Sequence, residues 1–423
     1  MNIPLQQRGA AALGVTLLLL FVLTLVVGFA SRNLVFEQRS SANQARATQA
    51  FEAAEAGLQW AQALLNSSTP MGTDCETSAA PGATTFRERF LAHDAASQRF
   101  APRTWDDAGT PIALQAACIL ADSGWSCSCP DAGYPTPIAP DDSGRHPAFA
   151  LRFVAAPRSG MVQIIATGCD HFAPACLPGS AAASSGGASA RTQGTLGLLP
   201  ALATVPLAPL TTRGDIAAEG ALTLVNTDPG SGGLTVHAGG AVVLPQASLT
   251  TLPGTSATAS VAPSDAQLAT ADGERLLARL LGLDRDRWQQ LPDVRHADCP
   301  AECSAALAQA IGPDAAHPLV WIAGDLRLDG PAAFGSAGHP VLLVVDGQVR
   351  LSGGVQIHGA IVCLGATCDT SGSSDAQLHG ALVALGNVIG SGTPTIIYDA
   401  GVLARLHGQF GSFARVPGSW RDF

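Results

Sequence analysis

The feature that most constrains this chain is an uncharged apolar run near its start, from Ala10 to Ala30. A helix needs about 20 such residues to cross a bilayer. The apolar part of a secretory signal is shorter, roughly 7–15 residues, so we expect this run to stay with the mature protein. Arg8 precedes the run and Arg32 and Arg39 follow it, so the positive charges do not fix its orientation.

The rest of the chain is expected to be a body outside the membrane. At 423 residues, there is room for about three domains of ~150 residues. The net charge of −10 argues against nucleic acid as a partner, since phosphates require a basic surface. Many glycines and prolines with few aromatic residues favour β-structure with frequent turns. No phosphate-binding loop or cofactor fingerprint is visible, so we expect no cofactor.

The cysteines indicate the compartment. Their spacings fit zinc sites poorly, which favours disulfides in an oxidising compartment. The body would then lie outside the cytoplasm and the N-terminus inside. The pairs Cys363–Cys368 and Cys169–Cys176 are the ones that short loops would close most easily. The disulfide candidates are Cys75, Cys118, Cys127, Cys129, Cys169, Cys176, Cys299, Cys303, Cys363 and Cys368.

The helical pattern continues beyond the apolar run. Between Ser31 and Asn66 there is no proline, and Gly57 is the only glycine. A single helix over Ala10–Asn66 would be about 85 Å long at 1.5 Å per residue. Half of it would lie in lipid and half against the body. The packing stripe would consist of residues at steps of three or four, namely Phe51, Ala54, Leu58, Ala61 and Leu65.

The body divides by pattern into successive segments. Within the first, AFALRFVAA and GMVQIIATG predict two strands joined as a hairpin. The predicted boundaries are a mixed α/β domain over 71–200, a β-rich segment over 201–262, a helical segment over 263–315, β-solenoid-like repeats over 316–405 and a tail over 406–423.

An internal repeat is the clearest signal in the last part of the body. Ile357–Gly365 (IHGAIVCLG) matches Leu378–Gly386 (LHGALVALG) at a spacing of about 21 residues. Repeats of this length with short strands indicate stacked β-solenoid layers, because one layer cannot bury its own apolar face. The matched His358 and His379 are predicted to stack in register.

An enzymatic interpretation would use Asp325, Asp329 and Asp346 with His358 and His379, since paired carboxylates cleave glycans. Asp329 and Asp346 each precede a glycine, as turn residues do. We therefore expect no catalysis.

A calcium site is conceivable over Asp369–Asp375, but the spacing differs from that of an EF-hand, and a polar turn between repeats is the preferred interpretation. We expect no metal site.

The N-terminal third resembles the type IV pilin class, and within it the PilX-type minor pilins. The matching stretches are QRGAAAL at Gln7–Leu13, the apolar helix after it, and NQARATQAFEAAEAGL at Asn43–Leu58. The resemblance implies that prepilin peptidase removes a leader, Met1–Gly9. The mature chain would start at a methylated Ala10, and its helix would later leave the membrane for the filament core.

One position departs from the major pilins, which usually carry a glutamate as the fifth mature residue. Here that residue is Gly14. The tip pseudopilin of type II secretion also lacks this glutamate and is the second interpretation. A third, from another class, is a membrane-anchored β-solenoid that binds or cleaves glycans.

These observations predict an α+β chain. It would have a long N-terminal transmembrane pilin helix, a mixed pilin-like domain and a β-rich, solenoid-like C-terminal region with a helical insertion. The resemblance implies a minor pilin that is not an enzyme and that joins or primes the pilus at its tip. Whether its role is cell adhesion, priming or regulation of retraction is left open. Its partners would be other minor pilins, the major pilin, prepilin peptidase and the inner membrane, with a surface or glycan ligand left open. The body would be periplasmic, then part of the extracellular pilus.

Overall fold

The computed structural model of the chain describes residues 8–94, 97–122, 124–140, 144–172, 187–313 and 317–422. Within these ranges the side chains of residues 8–11 and of Asn33 are not described. The predicted leader residues 1–7 and Cys176 lie outside the described residues.

The first element is one continuous helix, α1, over Arg8–Leu65 (58 residues). The absence of proline allows the backbone hydrogen bonds to run unbroken from the apolar run into the body. The prediction of a single long helix is confirmed, with an end one residue before the predicted one.

An antiparallel sheet lies against the C-terminal half of α1. Its strands, in spatial order, are β28 (Gly411–Arg415), β9 (Ser189–Pro200), β8 (Met161–Cys169), β7 (Ala148–Ala155), β5 (Gln115–Ala121) and β6 (Gly124–Ser128), and β29 (Arg421–Asp422) also pairs with β9. The predicted hairpin is confirmed, since Ala148 pairs with Cys169 and Ala155 pairs with Val162. A short helix, α2 (Phe86–Phe90), precedes the strands β1 (Leu91–Asp94), β2 (Arg99–Pro102), β3 (Thr104–Asp107), β4 (Thr110–Ala113), β5 (Gln115–Ala121), β6 (Gly124–Ser128), β7 (Ala148–Ala155), β8 (Met161–Cys169), β9 (Ser189–Pro200), β28 (Gly411–Arg415) and β29 (Arg421–Asp422).

Residues 201–410, here called the stacked region, consist of short strands in parallel ladders. The helices are α3 (Ala266–Ala269), α4 (Gly273–Leu281), α5 (Arg285–Gln289), α6 (Ser304–Ile311) and α7 (Ala400–Gly408). The strands are β10 (Leu210–Thr212), β11 (Ile216–Ala218), β12 (Thr223–Val225), β13 (Val236–Ala238), β14 (Val242–Val243), β15 (Ser248–Thr250), β16 (Val261–Ala262), β17 (Val294–Asp298), β18 (Leu319–Ala323), β19 (Leu326–Asp329), β20 (Ala333–Phe334), β21 (Val341–Val345), β22 (Val349–Ser352), β23 (Gln356–Cys363), β24 (Thr367–Asp369), β25 (Gln377–Ala384), β26 (Asn387–Gly390) and β27 (Thr395–Ile397).

The sequence repeat sets the register of these ladders. β23 pairs in parallel with β25 from Gln356↔Gln377 to Cys363↔Ala384. His358 therefore lies beside His379, with ring centroids 4.6 Å apart and planes inclined by 10°. The predicted in-register stacking of the two histidines is confirmed.

The longest ladder does not follow chain order. It runs β15-β12-β27-β25-β23-β21-β18-β17. Strands β10 to β16 form the layers at one end of the stacked region. The chain then crosses to the other end through α3, α4 and α5, and strands β17 to β27 form the layers that lead back to the first end. The predicted helical segment over 263–315 is thus corrected, because β17 forms the first strand of the returning layers between α5 and α6.

Two cores hold the stacked region together. One lies inside the ladders and is closed at one end by α6, whose Leu307 and Ile311 belong to it. The other lies outside, where Leu277 of α4, Trp288 of α5 and Leu403 of α7 cover the main ladder. Together the two cores bury both faces of β18 and β21, which explains the uniformly apolar sequences of these two strands.

The stacked region is an insertion within the antiparallel sheet. The chain leaves that sheet at Pro200 and re-enters it at Gly411, and these two residues are register partners. The predicted tail over 406–423 is therefore wrong, because β28 and β29 pair with β9. Local sequence does not encode this pairing, which joins residues some 200 positions apart.

Candidate assembly site

The N-terminal half of α1 is a fully exposed apolar rod. A helix over Ala12–Leu65 is long and apolar enough to cross a membrane. The hydroxyl groups within the run are satisfied inside the helix, since Thr16 donates to Leu13 O and Thr24 to Phe21 O, as a lipid environment requires. Sixteen large apolar side chains are exposed by between 45% and 73%, namely Leu13, Val15, Leu17, Leu18, Leu19, Leu20, Phe21, Val22, Leu23, Leu25, Val26, Val27, Phe29, Leu34, Val35 and Phe36.

The predicted processing residues lie in the first turn of this rod. Gly9 and Ala10 are helical and follow Arg8 directly. Gly14 lies one turn further along, with nothing within 4 Å of the position a Cβ would take. The described residues therefore leave room for a Cβ at residue 14.

The C-terminal half of α1 packs on the antiparallel sheet. Of the predicted stripe, Ala54, Leu58, Ala61 and Leu65 are buried. Phe51 is only half-buried and meets the edge of the Trp420 ring, at a centroid distance of 6.2 Å. Four of the five predicted packing positions thus face the core.

Small residues bring the helix and the sheet unusually close. A Cβ on Gly168 of β8 would lie 2.1 Å from the Ala50 carbonyl oxygen and 2.3 Å from the Ala54 amide nitrogen. A Cβ on Gly57 would lie 2.9 Å from the Phe149 ring. The helix backbone therefore rests directly on the sheet.

The C-terminal residues of the chain hold the C-terminal end of α1 in place. Asn66 donates from Nδ2 to Phe413 O (2.9 Å) and accepts from Phe413 N (2.6 Å). Further out, Arg415 Nε donates to Gln62 Oε1 at 2.9 Å, and Trp420 Nε1 donates to Glu55 Oε1 at 2.7 Å. Sequence reasoning missed these contacts because the residues that make them are more than 300 positions apart.

Arg87 of α2 joins α1 to both halves of the body. Its guanidinium donates to Leu65 O at 2.7 Å, Gly411 O at 2.8 Å and Gln409 O at 3.2 Å. It also lies 3.7 Å from the Asp293 carboxylate of the stacked region. Burial lowers the pKa of Arg87 and raises the pKa of Asp293 to about 6, against the opposing attraction between the two charges.

A cleft of about 820 Å³ separates the antiparallel sheet from the stacked region beside this contact. Its walls include Arg87, Asp293, Leu319, His339 and Arg405. Across it, His339 Nε2 lies 3.4 Å from Glu88 Oε1. The two parts of the body are thus linked by two chain crossings and a set of polar contacts.

Disulfides stabilise the body, as predicted, although one predicted pair is wrong. Bonds join Cys75 to Cys129, Cys118 to Cys127 and Cys299 to Cys303. Cys169 is also disulfide-bonded, while Cys176, its predicted partner, lies outside the described residues.

Cys363 and Cys368 are free thiols, which corrects their predicted pairing. Both are buried at a corner of one layer, where Cys363 Sγ donates to Gly347 O at 3.3 Å. The hydrogen bond to Cys363, followed by burial, raises the pKa of Cys368. The short loop does bring the two thiols within hydrogen-bonding reach of each other, but the structure holds them unoxidised.

The acidic residues considered for catalysis make structural contacts. Asp325 Oδ1 accepts from Gln348 N of the next layer at 2.8 Å. Asp329 accepts from the Ser352 hydroxyl (2.7 Å) and from Arg327 (2.8 Å), and these two hydrogen bonds lower its pKa.

Asp346 pairs with Arg285 of α5 at 3.0 Å. In the region considered for calcium, Asp369 Oδ1 accepts from Ser371 N at 2.8 Å, as in a polar turn. Within the described residues no group of three His, Cys, Asp or Glu side chains is placed to hold a metal ion.

The comparisons with known proteins find a family match for the N-terminal segment. A family model described as PilX N-terminal matches residues 8–59, which confirms the resemblance to PilX-type pilins for most of α1. A solved structure that matches is the competence-associated pilin ComZ from Thermus thermophilus, at 11% identity and a TM-score of 0.24 over 89% of this chain and 98% of that one. At this TM-score the match supports no inference about the body. No curated protein sequence matches the chain.

Proposed function

We propose that this chain, which carries a PilX-type N-terminal segment, is a minor pilin of a type IV pilus. It would insert in the inner membrane through α1, lose its leader to prepilin peptidase and join the filament with other minor pilins and the major pilin. The body would be periplasmic before assembly and extracellular afterwards. The observation that carries this proposal is the family match over residues 8–59, because it coincides with the exposed apolar rod and the first turns that pack on the sheet.

The physical argument begins with the exposed half of α1. An apolar rod with sixteen large exposed side chains is unstable in water and requires either lipid or other apolar helices around it. A pilin helix meets both environments in turn, first the bilayer and then the filament core. The close packing of Ala50 and Ala54 on Gly168 fixes the rod to the body during that transfer.

Gly14 supports a position at the pilus tip. In pilus filaments the fifth-residue glutamate is thought to neutralise the N-terminal ammonium of the preceding subunit. An unpaired charge in an apolar core costs several kcal/mol. A subunit with Gly14 cannot supply that carboxylate, but the first subunit has no predecessor and leaves nothing unpaired. The same residue favours the second candidate, the tip pseudopilin of type II secretion.

We also propose that the body serves assembly and binding and has no catalytic role. Asp325, Asp329 and Asp346 each have backbone, hydroxyl or arginine partners in the stack. On this proposal the stacked region is a β-solenoid, supported by the in-register pairing of β23 with β25. A purified body that cleaves a glycan, with activity lost in the triple aspartate variant, would contradict this.

Processing can be tested because the sequence contains no lysine, so the α-amino group is its only primary amine. Reductive methylation with deuterated formaldehyde adds two labelled methyl groups to a free α-amine but only one to a methylated α-amine. We expect the native protein to begin at Ala10 and take up one. A Gly9→Leu variant should remain full length and take up two at Met1. A native chain that retains Met1 would reject cleavage.

The tip position is tested separately by gold-labelled antibody on intact pili. We expect label at filament ends for the wild type and for Gly14→Ala, and label along the shaft for Gly14→Glu. Both substitutions add a Cβ for which there is room, because no described atom lies within 4 Å of that position. Regular shaft labelling of the wild type would overturn the tip position while leaving the pilin assignment intact.

A further inference from the structure

The face of α1 that packs on the antiparallel sheet continues beyond the end of that sheet. The buried residues Ala50, Ala54, Gly57 and Ala61 follow one another in steps of four and three residues. Such steps keep side chains on one face of a helix. The same steps, continued toward the N-terminus, define five further positions, here called the uncovered stripe: Arg32, Phe36, Arg39, Asn43 and Arg46.

The uncovered stripe is largely open to solvent. Phe36 is 73% exposed, Arg32 and Arg39 are exposed, and Arg46, the member nearest to the sheet, is half-buried. Among the described residues none of the three guanidinium groups has a hydrogen-bond or ion-pair partner. From Arg32 to Arg46 the stripe is about 21 Å long at 1.5 Å per residue. It therefore presents three unpaired cations beside one exposed aromatic ring.

The charges of this stretch are separated by helix face. Glu37 is the only acidic residue between Ser31 and Gln49. It follows Arg32 by five residues, which places it about 140° around the helix axis at 3.6 residues per turn. No arginine lies three or four positions from Glu37, the spacing at which charges on one helix attract each other. The stripe is therefore positive along its whole length.

Lipid headgroups are too close to the apolar run to satisfy these arginines. The run ends at Ala30, and the headgroup layer on one side of a bilayer is about 5–8 Å thick. On an upright helix Arg39 lies about 14 Å and Arg46 about 24 Å beyond the run. A tilt of about 40°, at the top of the usual range, still leaves Arg39 about 10 Å beyond it. Phospholipid therefore reaches only Arg32.

We propose that the uncovered stripe docks on the body of the neighbouring pilin-type subunit. That surface would offer carboxylates to the three arginines and an apolar recess to Phe36. The inference rests on the proposed function, in which the apolar run is surrounded by other helices in the filament core. The stripe lies on the face of α1 that carries this chain's own sheet. It therefore points toward the side where the subunit bodies lie, and away from the helices of the core.

The residue types of the stripe fit an interface between two folded surfaces. Arginine and aromatic residues contribute most to binding at protein interfaces. The guanidinium group binds a carboxylate through two parallel hydrogen bonds. The sheet-facing part of the same face consists of alanine and glycine, which allow the close approach seen between Ala50 and Gly168. The change of residue type before Ala50 thus marks where this chain's own body ends and the partner's body begins.

The first test compares variants for their incorporation into pili. We expect Arg39→Glu to lower the amount of the chain in sheared pili at least tenfold, while the form cleaved before Ala10 accumulates in the membrane. Arg39→Lys keeps the positive charge and should assemble better than Arg39→Glu. Gln44→Glu is the matched control, because it adds a carboxylate to the same exposed stretch but away from the stripe. It should assemble like the wild type.

Photocrosslinking identifies what the stripe contacts. The photoreactive residue p-benzoylphenylalanine replaces Phe36 in one strain and Gln44 in another, and adducts from intact pili are mapped by mass spectrometry. We expect position 36 to crosslink to the body of another subunit, close to Asp or Glu residues. Position 44 should give no such adduct.

Several results would overturn the inference while leaving the pilin assignment intact. These are incorporation of Arg39→Glu at the wild-type level, equal loss in Gln44→Glu, the same body adduct from both positions, or adducts of position 36 only with lipid or with the apolar helix of another subunit. A wild-type chain that is absent from pili would instead reject the proposed function, and this inference with it. If Arg39→Glu fails to accumulate in the membrane, Arg39→Gln replaces it.

Discussion

Gly168 lies so close to Ala50 that a single added methyl group would come within 2.1 Å of the Ala50 carbonyl oxygen. The atoms opposite belong to the backbone of α1 and cannot rotate away. We therefore expect Gly168→Ala to separate helix from sheet locally and lower the free energy of unfolding by about 1–3 kcal/mol. Thermal unfolding of the detergent-solubilised protein measures this.

Gly197 on the neighbouring strand β9 gives the control. A Cβ there would lie 3.5 Å from Val416 Cγ2, an ordinary contact. Gly197→Ala should leave the unfolding temperature close to that of the wild type. Equal effects of the two substitutions would show that the close approach of α1 to β8 is not a stabilising contact.

Asn66→Ala should destabilise the junction between α1 and β28. It removes the reciprocal hydrogen bonds to Phe413, a residue that is only 2% exposed. Leaving buried backbone groups unpaired costs about 1–3 kcal/mol each. Gln62→Ala, one turn earlier on α1, loses only an exposed contact to Arg415 and should change stability by less than about 0.5 kcal/mol. Chemical denaturation of the two variants side by side measures this difference. Coinciding midpoints would show that the hydrogen bonds between Asn66 and Phe413 do not stabilise the junction.

Asp293 predicts a pH dependence with a definite sign. Burial raises the pKa of its carboxyl to about 6 in the folded state, against about 3.9 when unfolded. Between these values the folded state binds more protons, so this residue makes the protein less stable as pH rises from about 4 to 6. Relative to wild type, Asp293→Asn should gain about 1–3 kcal/mol at pH 7 and nothing at pH 4.

The exposed Asp298 on β17 is the control for this measurement. Asp298→Asn should track the wild type across the whole pH range in urea unfolding. If Asp293→Asn does the same, burial of the Asp293 carboxyl does not carry the expected charge penalty.

The two free thiols predict a specific labelling pattern. Cys363 and Cys368 are buried, so they should resist alkylation in the native protein and react after denaturation without reductant. Peptide mapping should find no other labelled residue among Cys75, Cys118, Cys127, Cys129, Cys169, Cys299 and Cys303. Denatured protein in which Cys363 and Cys368 stay unlabelled would mean that these two cysteines are oxidised.

Local patterns were sufficient to predict much of this structure. The proline-free periodicity predicted α1, and the IHGAIVCLG repeat predicted the register that places His358 beside His379. Both follow from spacing within one segment. Cys363 and Cys368 were mispredicted as a disulfide because a short loop brings two thiols together but does not determine whether they are oxidised.

Other features lay beyond sequence reasoning because they join distant parts of the chain. The pairing of Pro200 with Gly411 makes the stacked region an insertion. Arg87 lies on α2, and its partners are Leu65 at the end of α1, Asp293 just before β17 and Gly411 of β28. Hydrophobic periodicity in the sequence does not reveal such contacts. The few polar residues that make these contacts look like ordinary surface positions in the sequence.

The most direct test of the assignment as a minor pilin is quantitative mass spectrometry of pili sheared from the cell surface. The account predicts that the chain is present in the pilus fraction, that its N-terminal peptide starts at Ala10, and that it is far less abundant than the major subunit. A strain that cannot assemble pili should retain the chain in its membranes. A chain that begins at Met1 and remains in the membrane of piliated cells, absent from the sheared filaments, would contradict the account.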